Sequence, residues 1–127
     1  MSEQRDTGAA LQGTRILVVE DEYYIADDLQ RALKGAGAEI VGPCGSVQPS
    51  LDAIAKGGFD CAVIDLSLHG ESAEPIADRL ESTGYPFAIA TGYGSGAVPE
   101  QHKHVPRIEK PFDDAALLKI IEQLVRR

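Results

Sequence analysis

The fold of this chain is decided by a short stretch, Cys61-Ala62-Val63-Ile64-Asp65, in which four consecutive apolar residues run directly into a carboxylate. A continuous apolar run of this length is typical of a strand that is buried on both faces of a parallel sheet. Four further short runs accompany it, over residues 16–19, 40–42, 87–90 and 107–109. We therefore expect a sheet of five parallel strands.

The segments between these runs have the spacing of amphipathic helices. Apolar residues recur every three or four positions in three crossovers and in the C-terminal segment, over residues 25–36, 51–55, 76–80 and 117–125. The fourth crossover, residues 94–104, contains two glycines and a proline, so we expect a short or irregular element there. Strands that alternate with helices predict a doubly wound α/β domain with helices on both faces of the sheet.

The composition limits both the number of domains and the classes of partner. The chain has 127 residues, and its 20 acidic and 12 basic side chains give a formal net charge of −8. This length fits one domain over residues 14–127, preceded by a flexible lead-in over residues 1–13 that lacks periodicity. The acidity disfavours direct binding to nucleic acid or to an anionic membrane. No apolar run approaches the roughly 20 residues of a membrane span, and we expect a soluble cytoplasmic protein.

The cysteines and histidines indicate neither a disulfide nor a zinc site. Cys44 and Cys61 both lie in apolar surroundings, which favours buried free thiols. No cysteine or acidic residue near His102 and His104 in the sequence completes a zinc ligand set. His69 is interpreted as a loop residue and not as a carrier of phosphate.

Polar side chains stand where the apolar runs end. Glu20 and Asp21 follow the first run, Asp65 the third, Thr91 the fourth and Lys110 the fifth. The carboxyl ends of parallel strands form the edge where ligands bind, so these groups should meet there. Clustered carboxylates suit Mg²⁺, and a carboxylate that accepts a phosphoryl group also needs a fixed cation and a hydroxyl donor. The other interpretation of the first acidic pair is a solvated helix start.

The motifs at these strand ends resemble those of response-regulator receiver domains of bacterial two-component signalling. The resemblance covers residues 14–127 and rests on four segments in order, at residues 18–22, 63–70, 90–92 and 110–112. Residues 86–94 are also similar to the Phe-Ala-Thr-Gly-x-Tyr motif of a subgroup of stand-alone receivers, with Ile89 and Gly94 replacing its first and last residues. The resemblance implies a (βα)5 fold with strand order 2-1-3-4-5.

The resemblance also assigns roles around the phosphorylation site. Asp65 would be the phospho-acceptor. Asp21 would bind Mg²⁺ directly, Glu20 would assist through a water molecule, and Ser67 would offer its backbone carbonyl to the metal. Each of these roles is carried over by position in the matching motif.

A second group of residues would change state after phosphorylation. Thr91 would move toward the phosphoryl group, and Lys110 would pair with that group from a cis Lys110-Pro111 bond. Many receivers carry an aromatic residue three positions before the lysine, where this chain has Arg107. We therefore expect a surface position for Arg107 and consider Tyr93 a substitute for the missing aromatic.

The resemblance implies a single-domain response regulator. It would accept a phosphoryl group from a sensor histidine kinase or a histidine phosphotransfer protein and relay the signal to another protein by contact, without binding DNA. It would act on no separate substrate and would be a monomer or a weak dimer. Two other classes stay open: a pseudo-receiver that binds partners independently of phosphorylation, and a small phosphatase with an aspartate nucleophile.

Overall fold

Five parallel strands form the central sheet of the protein. The structure is a computed structural model that describes residues 10–92 and 98–126. Its strands are β1 (Arg15–Val19), β2 (Glu39–Cys44), β3 (Cys61–Asp65), β4 (Ser67–Leu68), β5 (Glu71–Ser72), β6 (Phe87–Thr91) and β7 (Arg107–Glu109). The sheet has the order β2-β1-β3-β6-β7, whereas β4 and β5 pair separately as an antiparallel hairpin. Without that hairpin, which the sequence did not predict, the expected order 2-1-3-4-5 is confirmed.

In the described part of the chain, four α-helices cover the two faces of the sheet. They are α1 (Tyr23–Gly35), α2 (Val47–Lys56), α3 (Glu74–Ser82) and α4 (Asp114–Val125). Helices α1 and α4 contact each other on one face, and α2 and α3 contact each other on the opposite face. The described part of the fourth crossover holds only a 3-10 helix, Glu100–His102, in agreement with the expected irregular element. No helix within residues 10–92 and 98–126 is long and apolar enough to cross a membrane.

The sheet separates two hydrophobic cores. In β3, Cys61 and Val63 point into the core that includes α1 and α4, and Ala62 and Ile64 point into the core of α2 and α3. Every residue of this strand is buried. This arrangement explains the continuous apolar run, because a strand with helices on both sides has no solvent-facing positions.

Two helices begin after residues of types that favour the N-cap position, Ser46 and Asp113. Asp113 does cap α4, since its Oδ2 accepts a hydrogen bond of 3.1 Å from the backbone N–H of Ala116. Ser46 occupies the N-cap position of α2, but its side chain makes no capping bond. Its carbonyl oxygen instead accepts a hydrogen bond from Oγ of Ser50, at 2.7 Å.

The hydrophobic core begins earlier in the chain than expected. Residues 1–9 of the expected flexible lead-in lie outside the described residues, but residues 11–13 form a turn. In that turn Leu11 is only 1% exposed, and its backbone N–H donates to the carbonyl of Ala36 at 2.8 Å. The packed domain therefore reaches at least to Leu11, three residues before the predicted boundary.

Both cysteines are free thiols, as the sequence indicated. Cys61 is fully buried in β3, and this burial raises the pKa of its thiol to about 12. Cys44 is only half-buried at the end of β2, although partial burial raises its pKa as well. The thiolate forms that react with electrophiles are therefore disfavoured at both positions.

Candidate functional site

Three carboxylates meet at the carboxyl edge of the sheet. Glu20 and Asp21 directly follow β1, and Asp65 is the last residue of β3, the neighbouring strand. Each side chain contributes one oxygen to a group whose members all lie within 4.8 Å of one another. The parallel pairing of the two strands brings these carboxylates together from sequence positions more than 40 residues apart.

A lysine compensates part of this negative charge. Nζ of Lys110 lies 3.0 Å from Oε1 of Glu20 and 3.2 Å from Oδ2 of Asp65. The lysine side chain is largely buried, and that of Glu20 is completely buried. One ammonium among three carboxylates leaves the edge with an excess of negative charge.

Burial and the neighbouring groups together shift the pKa values of Glu20 and Lys110. Burial is the largest effect on Glu20, and together with the nearby charge of Asp65 it raises the pKa of this carboxyl despite the hydrogen bond from Glu22 and the contact with Lys110. For Lys110, burial is again the largest single effect and lowers the pKa. The combined contacts with Glu20 and Asp65 outweigh it, so the pKa of Lys110 is raised.

Thr91 and Gly92 border the lysine. Thr91 is the last residue of β6, and its carbonyl accepts a hydrogen bond of 2.6 Å from the backbone N–H of Lys110. A Cβ atom at Gly92 would lie 3.3 Å from Cβ of Lys110, so glycine allows the lysine stem to approach this closely. The Lys110-Pro111 peptide bond is cis.

The expected switch residues are only partly described. Tyr93, the predicted substitute for the missing aromatic, lies outside the described residues. Arg107 is exposed on β7. It lines, together with Thr91 and Phe112, a groove of about 550 Å³ beside α4. A larger groove of about 810 Å³ lies at the opposite edge of the sheet, near Pro106, far from the carboxylates.

The hairpin after β3 closes one side of the site. The backbone N–H of Ser67 donates to Oδ1 of Asp65 at 3.3 Å, and the backbone N–H of His69 donates to Oδ2 of Asp21 at 2.7 Å. Sequence reasoning assigned Ser67 through its carbonyl and treated His69 as an ordinary loop residue. The contact of His69 with Asp21 was missed because 48 residues separate the two in sequence.

A second charged cluster, outside the site, was also missed. His102 is 1% exposed, and its Nε2 makes a hydrogen bond of 2.8 Å with Oδ1 of Asp78 on α3. Its Nδ1 lies 2.6 Å from Oε1 of Glu81, whose other oxygen lies 2.8 Å from Nε2 of His104. Acidic residues of α3, distant in the sequence, therefore lie beside this histidine pair. Within the described residues, the three carboxylates at the sheet edge are the group spaced to hold a metal ion.

The residues at the sheet edge fit a hard divalent cation. All three candidate ligands are carboxylates, and Mg²⁺ prefers oxygen donors. The three carboxylate oxygens all lie within 4.8 Å of one another, so they are grouped closely enough to surround one ion. The excess of negative charge also favours a cation, because neighbouring carboxylates otherwise repel one another.

Comparisons with known proteins identify similar sequences. No protein-family model matches the chain. The transcriptional regulatory protein FixJ of Bradyrhizobium diazoefficiens is 32% identical over 117 residues, which cover 88% of this chain and 57% of FixJ. The chain spans about half the length of the curated relatives it matches.

Solved structures match over nearly the whole chain. The solution structure of SdrG from Sphingomonas melonis Fr1 is 34% identical in sequence, and the match covers 92% of this chain and 98% of SdrG. Its TM-score is 0.82. The BeF3-activated conformation of SdrG from Pseudomonas melonis Fr1 has a TM-score of 0.75 at 32% identity, covering 90% of this chain and 98% of that one.

Proposed function

The chain belongs to the receiver domains of response regulators, and we propose that it acts by accepting a phosphoryl group on Asp65. The observation that carries this proposal is the position of Asp65. It ends the central strand, lies 3.2 Å from the ammonium of Lys110, and shares a group of oxygens within 4.8 Å with Glu20 and Asp21. A nucleophile, a fixed cation and a candidate metal site therefore converge on one oxygen-rich edge.

The proposed step is a transfer from nitrogen to oxygen. A carboxylate oxygen of Asp65 attacks the phosphorus of an N-phosphohistidine on a donor protein. A P–O bond forms while the P–N bond breaks, and the ring nitrogen of the donor keeps the electron pair and takes up a proton. Later hydrolysis by water regenerates Asp65 and releases inorganic phosphate, so the chain acts only on itself.

The surrounding residues stabilise the charge that this step brings in. A phosphoryl group adds up to about two negative charges to an edge that is already acidic. Lys110 stands beside Asp65 and offsets part of this charge. Asp21 and Glu20 would hold Mg²⁺ with Asp65 and the Ser67 carbonyl. Such an ion neutralises phosphoryl oxygens when it is bound.

The partners are proposed from the relatives. A sensor histidine kinase or a histidine phosphotransfer protein would donate the phosphoryl group, and a further protein would read the phosphorylated state. Thr91 supports a change of state, because it ends β6 beside Lys110 and lines the groove shared with Arg107. A hydroxyl that turns toward the new phosphoryl group would alter this groove, which other proteins can contact.

Phosphorylation is tested with a small-molecule donor. We expect acetyl phosphate and Mg²⁺ to add one phosphoryl group, which mass spectrometry with peptide mapping locates on Asp65. Asp65→Asn should abolish the adduct, and EDTA should suppress it in the unchanged chain. Asp52→Asn, at an exposed position on α2, is the matched control and should be labelled normally.

The same experiment separates the competing functions. Binding of a partner with no labelling and no affinity for Mg²⁺ would favour a pseudo-receiver. Steady release of phosphate from a separate phosphoester would favour a phosphatase. Labelling that persists in the Asp65→Asn variant would refute the assignment of the acceptor.

A further inference from the structure

Three carboxylates form a row on one face of α3. Glu74, Asp78 and Glu81 are four and then three residues apart, a spacing that places side chains one above another along a helix. Residues 101–104 of the fourth crossover contact all three of them. The first contact is made by Gln101, whose Nε2 donates to Oε2 of Glu74 at 2.9 Å. Histidines contact the other two carboxylates, so the row attaches the crossover to α3.

The attachment centres on a buried imidazole. The His102 side chain is 1% exposed, and its Nε2 makes a hydrogen bond of 2.8 Å with Oδ1 of Asp78. Its Nδ1 lies 2.6 Å from Oε1 of Glu81, although this contact lacks the alignment of a hydrogen bond. Phe87 of β6 packs against the imidazole, with ring centroids 6.1 Å apart. Within the described residues, both ring nitrogens therefore face carboxylate oxygens and have no other hydrogen-bond partner.

The charge of the ring decides how many of these contacts can be hydrogen bonds. A carboxylate oxygen only accepts, and a neutral imidazole carries a single N–H. A neutral His102 can therefore donate to Asp78 or to Glu81, and its second nitrogen directs a lone pair at the remaining carboxylate. A charged ring has two N–H groups and can donate to both. The charged ring thus favours the observed position of the crossover, because a buried nitrogen without a partner costs stability.

A small apolar contact supplements the histidine contacts. Val98 and Val105, on either side of the 3-10 helix, are buried in the same core as Ile76 and Leu80 of α3. Backbone hydrogen bonds within residues 99–105 are local and join positions three residues apart. These bonds shape the segment but do not fix it to the helix. Weaker side-chain contacts with α3 would therefore allow the segment to open locally.

We propose that His102, Asp78 and Glu81 form a proton-dependent latch. The latch holds residues 98–105 on α3 while the imidazole is charged, and it loosens when the ring loses its proton. Histidine is the side chain that ordinarily changes charge between about pH 5 and 8, so the order of this segment varies near neutral pH. The crossover follows Thr91 in the chain, and a protein that contacts residues 98–105 would meet a surface that depends on pH.

The other charged groups next to the latch are exposed. His104 is 65% exposed, and its Nε2 lies 2.8 Å from the second oxygen of Glu81. Lys103 pairs with Glu100 at 3.6 Å, and both of these side chains are exposed. Solvent weakens ion pairs of this kind. The charge of His104 should therefore affect the attachment of the crossover less than the charge of His102.

The competing interpretation is a neutral His102 that donates only to Asp78. Its Nδ1 would then be an acceptor opposite the carboxylate of Glu81. A glutamine at position 81 would relieve this contact, because its amide group can donate to the ring nitrogen. In the latch, the same substitution removes a carboxylate that the charged ring needs. At low pH, Glu81→Gln should therefore strengthen the attachment if the ring is neutral and weaken it if the latch exists.

Hydrogen exchange measures how often the crossover opens. NMR gives protection factors, corrected for the intrinsic exchange rate at each pH, for the amides of residues 102, 103 and 105, with the amides of β3 as the reference for global unfolding. We expect the protection of the crossover relative to β3 to fall about tenfold between about pH 5.5 and 8.5, because hydrogen bonds from a charged ring are stronger. In ¹⁵N spectra of the histidine rings, His102 should lose a ring hydrogen over the same interval.

Matched variants separate the latch from the surrounding charges. Glu81→Gln should lower the relative protection at pH 5.5 and reduce its dependence on pH. Asp78→Asn, at a more exposed position, should have the same two effects. The controls are His104→Asn and Glu100→Gln, which change exposed side chains and should keep the pH dependence of the unchanged chain.

Any other result overturns the inference. A relative protection that does not change with pH, or a neutral His102 ring at pH 5.5, would show that the charge of the ring does not hold the crossover. Equal or greater protection in Glu81→Gln at pH 5.5 would contradict the latch and favour the neutral ring. The labelling of Asp65 tests the phosphoryl-acceptor site separately, and the proposed function does not depend on these outcomes.

Discussion

Nζ of Lys110 and Oε1 of Glu20 are 3.0 Å apart, and the Glu20 side chain has no exposed surface. Removal of the ammonium would leave a buried carboxylate without its cation. We therefore expect Lys110→Ala to lower the free energy of unfolding by about 2 kcal/mol in the absence of divalent cations. Urea denaturation measures this loss, and added Mg²⁺ should restore part of it.

The matched control for this variant is Lys103→Ala. Lys103 pairs with Glu100 at 3.6 Å, but both side chains are exposed. Exposed ion pairs contribute little to stability, so we expect Lys103→Ala to change the free energy of unfolding by no more than about 0.5 kcal/mol. Equal losses in the two variants would contradict the importance of burial at Lys110.

The raised pKa of Glu20 predicts a particular pH dependence of stability. Glu20 binds its proton to a higher pH in the folded protein than in the unfolded chain, where its pKa is close to 4.5. The contribution of Glu20 to the free energy of unfolding therefore decreases as the pH rises from 4.5 through the raised pKa of the folded state. Above that pKa the contribution is constant. Glu20→Gln should remove this decrease. The difference in Tm between the two proteins, measured in EDTA from pH 4.5 to 7.5, should change across this window.

The buried ring of His102 should matter more for stability than the exposed ring of His104. Both nitrogens of His102 face carboxylate oxygens of α3, at 2.8 Å for Asp78 and 2.6 Å for Glu81. His102→Ala would leave a cavity and lose these contacts, at a cost of about 2–3 kcal/mol. His104→Ala should cost less than about 1 kcal/mol. Thermal or urea denaturation of both variants decides the comparison, and similar losses would be inconsistent with it.

The position of the domain boundary is tested at Leu11. Because this side chain is buried, Leu11→Ala should lower the free energy of unfolding by about 2–4 kcal/mol. Gln12→Ala, at the exposed neighbouring position, should have an effect within about 0.5 kcal/mol. A neutral Leu11→Ala variant would return the boundary to the predicted residue 14.

The thiol of Cys61, with its pKa of about 12, should resist alkylation. We expect iodoacetamide at pH 8 to leave Cys61 unmodified in the folded protein and to modify it rapidly in concentrated urea. Peptide mapping by mass spectrometry distinguishes it from Cys44. Rapid alkylation of folded Cys61 would show that β3 opens easily.

The sheet and the acidic edge could be predicted from sequence for a physical reason. A strand covered on both faces must be continuously apolar, so its first polar residue marks its end. That rule located Glu20, Asp65, Thr91 and Lys110 at strand ends, and the structure brings the two carboxylates within 3.2 Å of the lysine ammonium.

Other features left no comparable pattern in the sequence. The two-residue strands β4 and β5 are too short for periodicity, so the docking of His69 on Asp21 could not be foreseen. Leu11 is a single large apolar residue in an otherwise weakly apolar segment. The pairing of His102 with Asp78 depends on how an irregular crossover packs against α3, which local propensity does not determine.

Strand β3 couples the packing of the protein to its chemistry. Alternate side chains of this strand fill opposite hydrophobic cores, and its final residue is Asp65. Insertion or deletion of one residue within the strand would send the side chains that follow it to the wrong layer and rotate the carboxylate away from its partners. Evolution can therefore exchange one aliphatic residue for another along β3, but a change in its length would be selected against twice, once for folding and once for signalling.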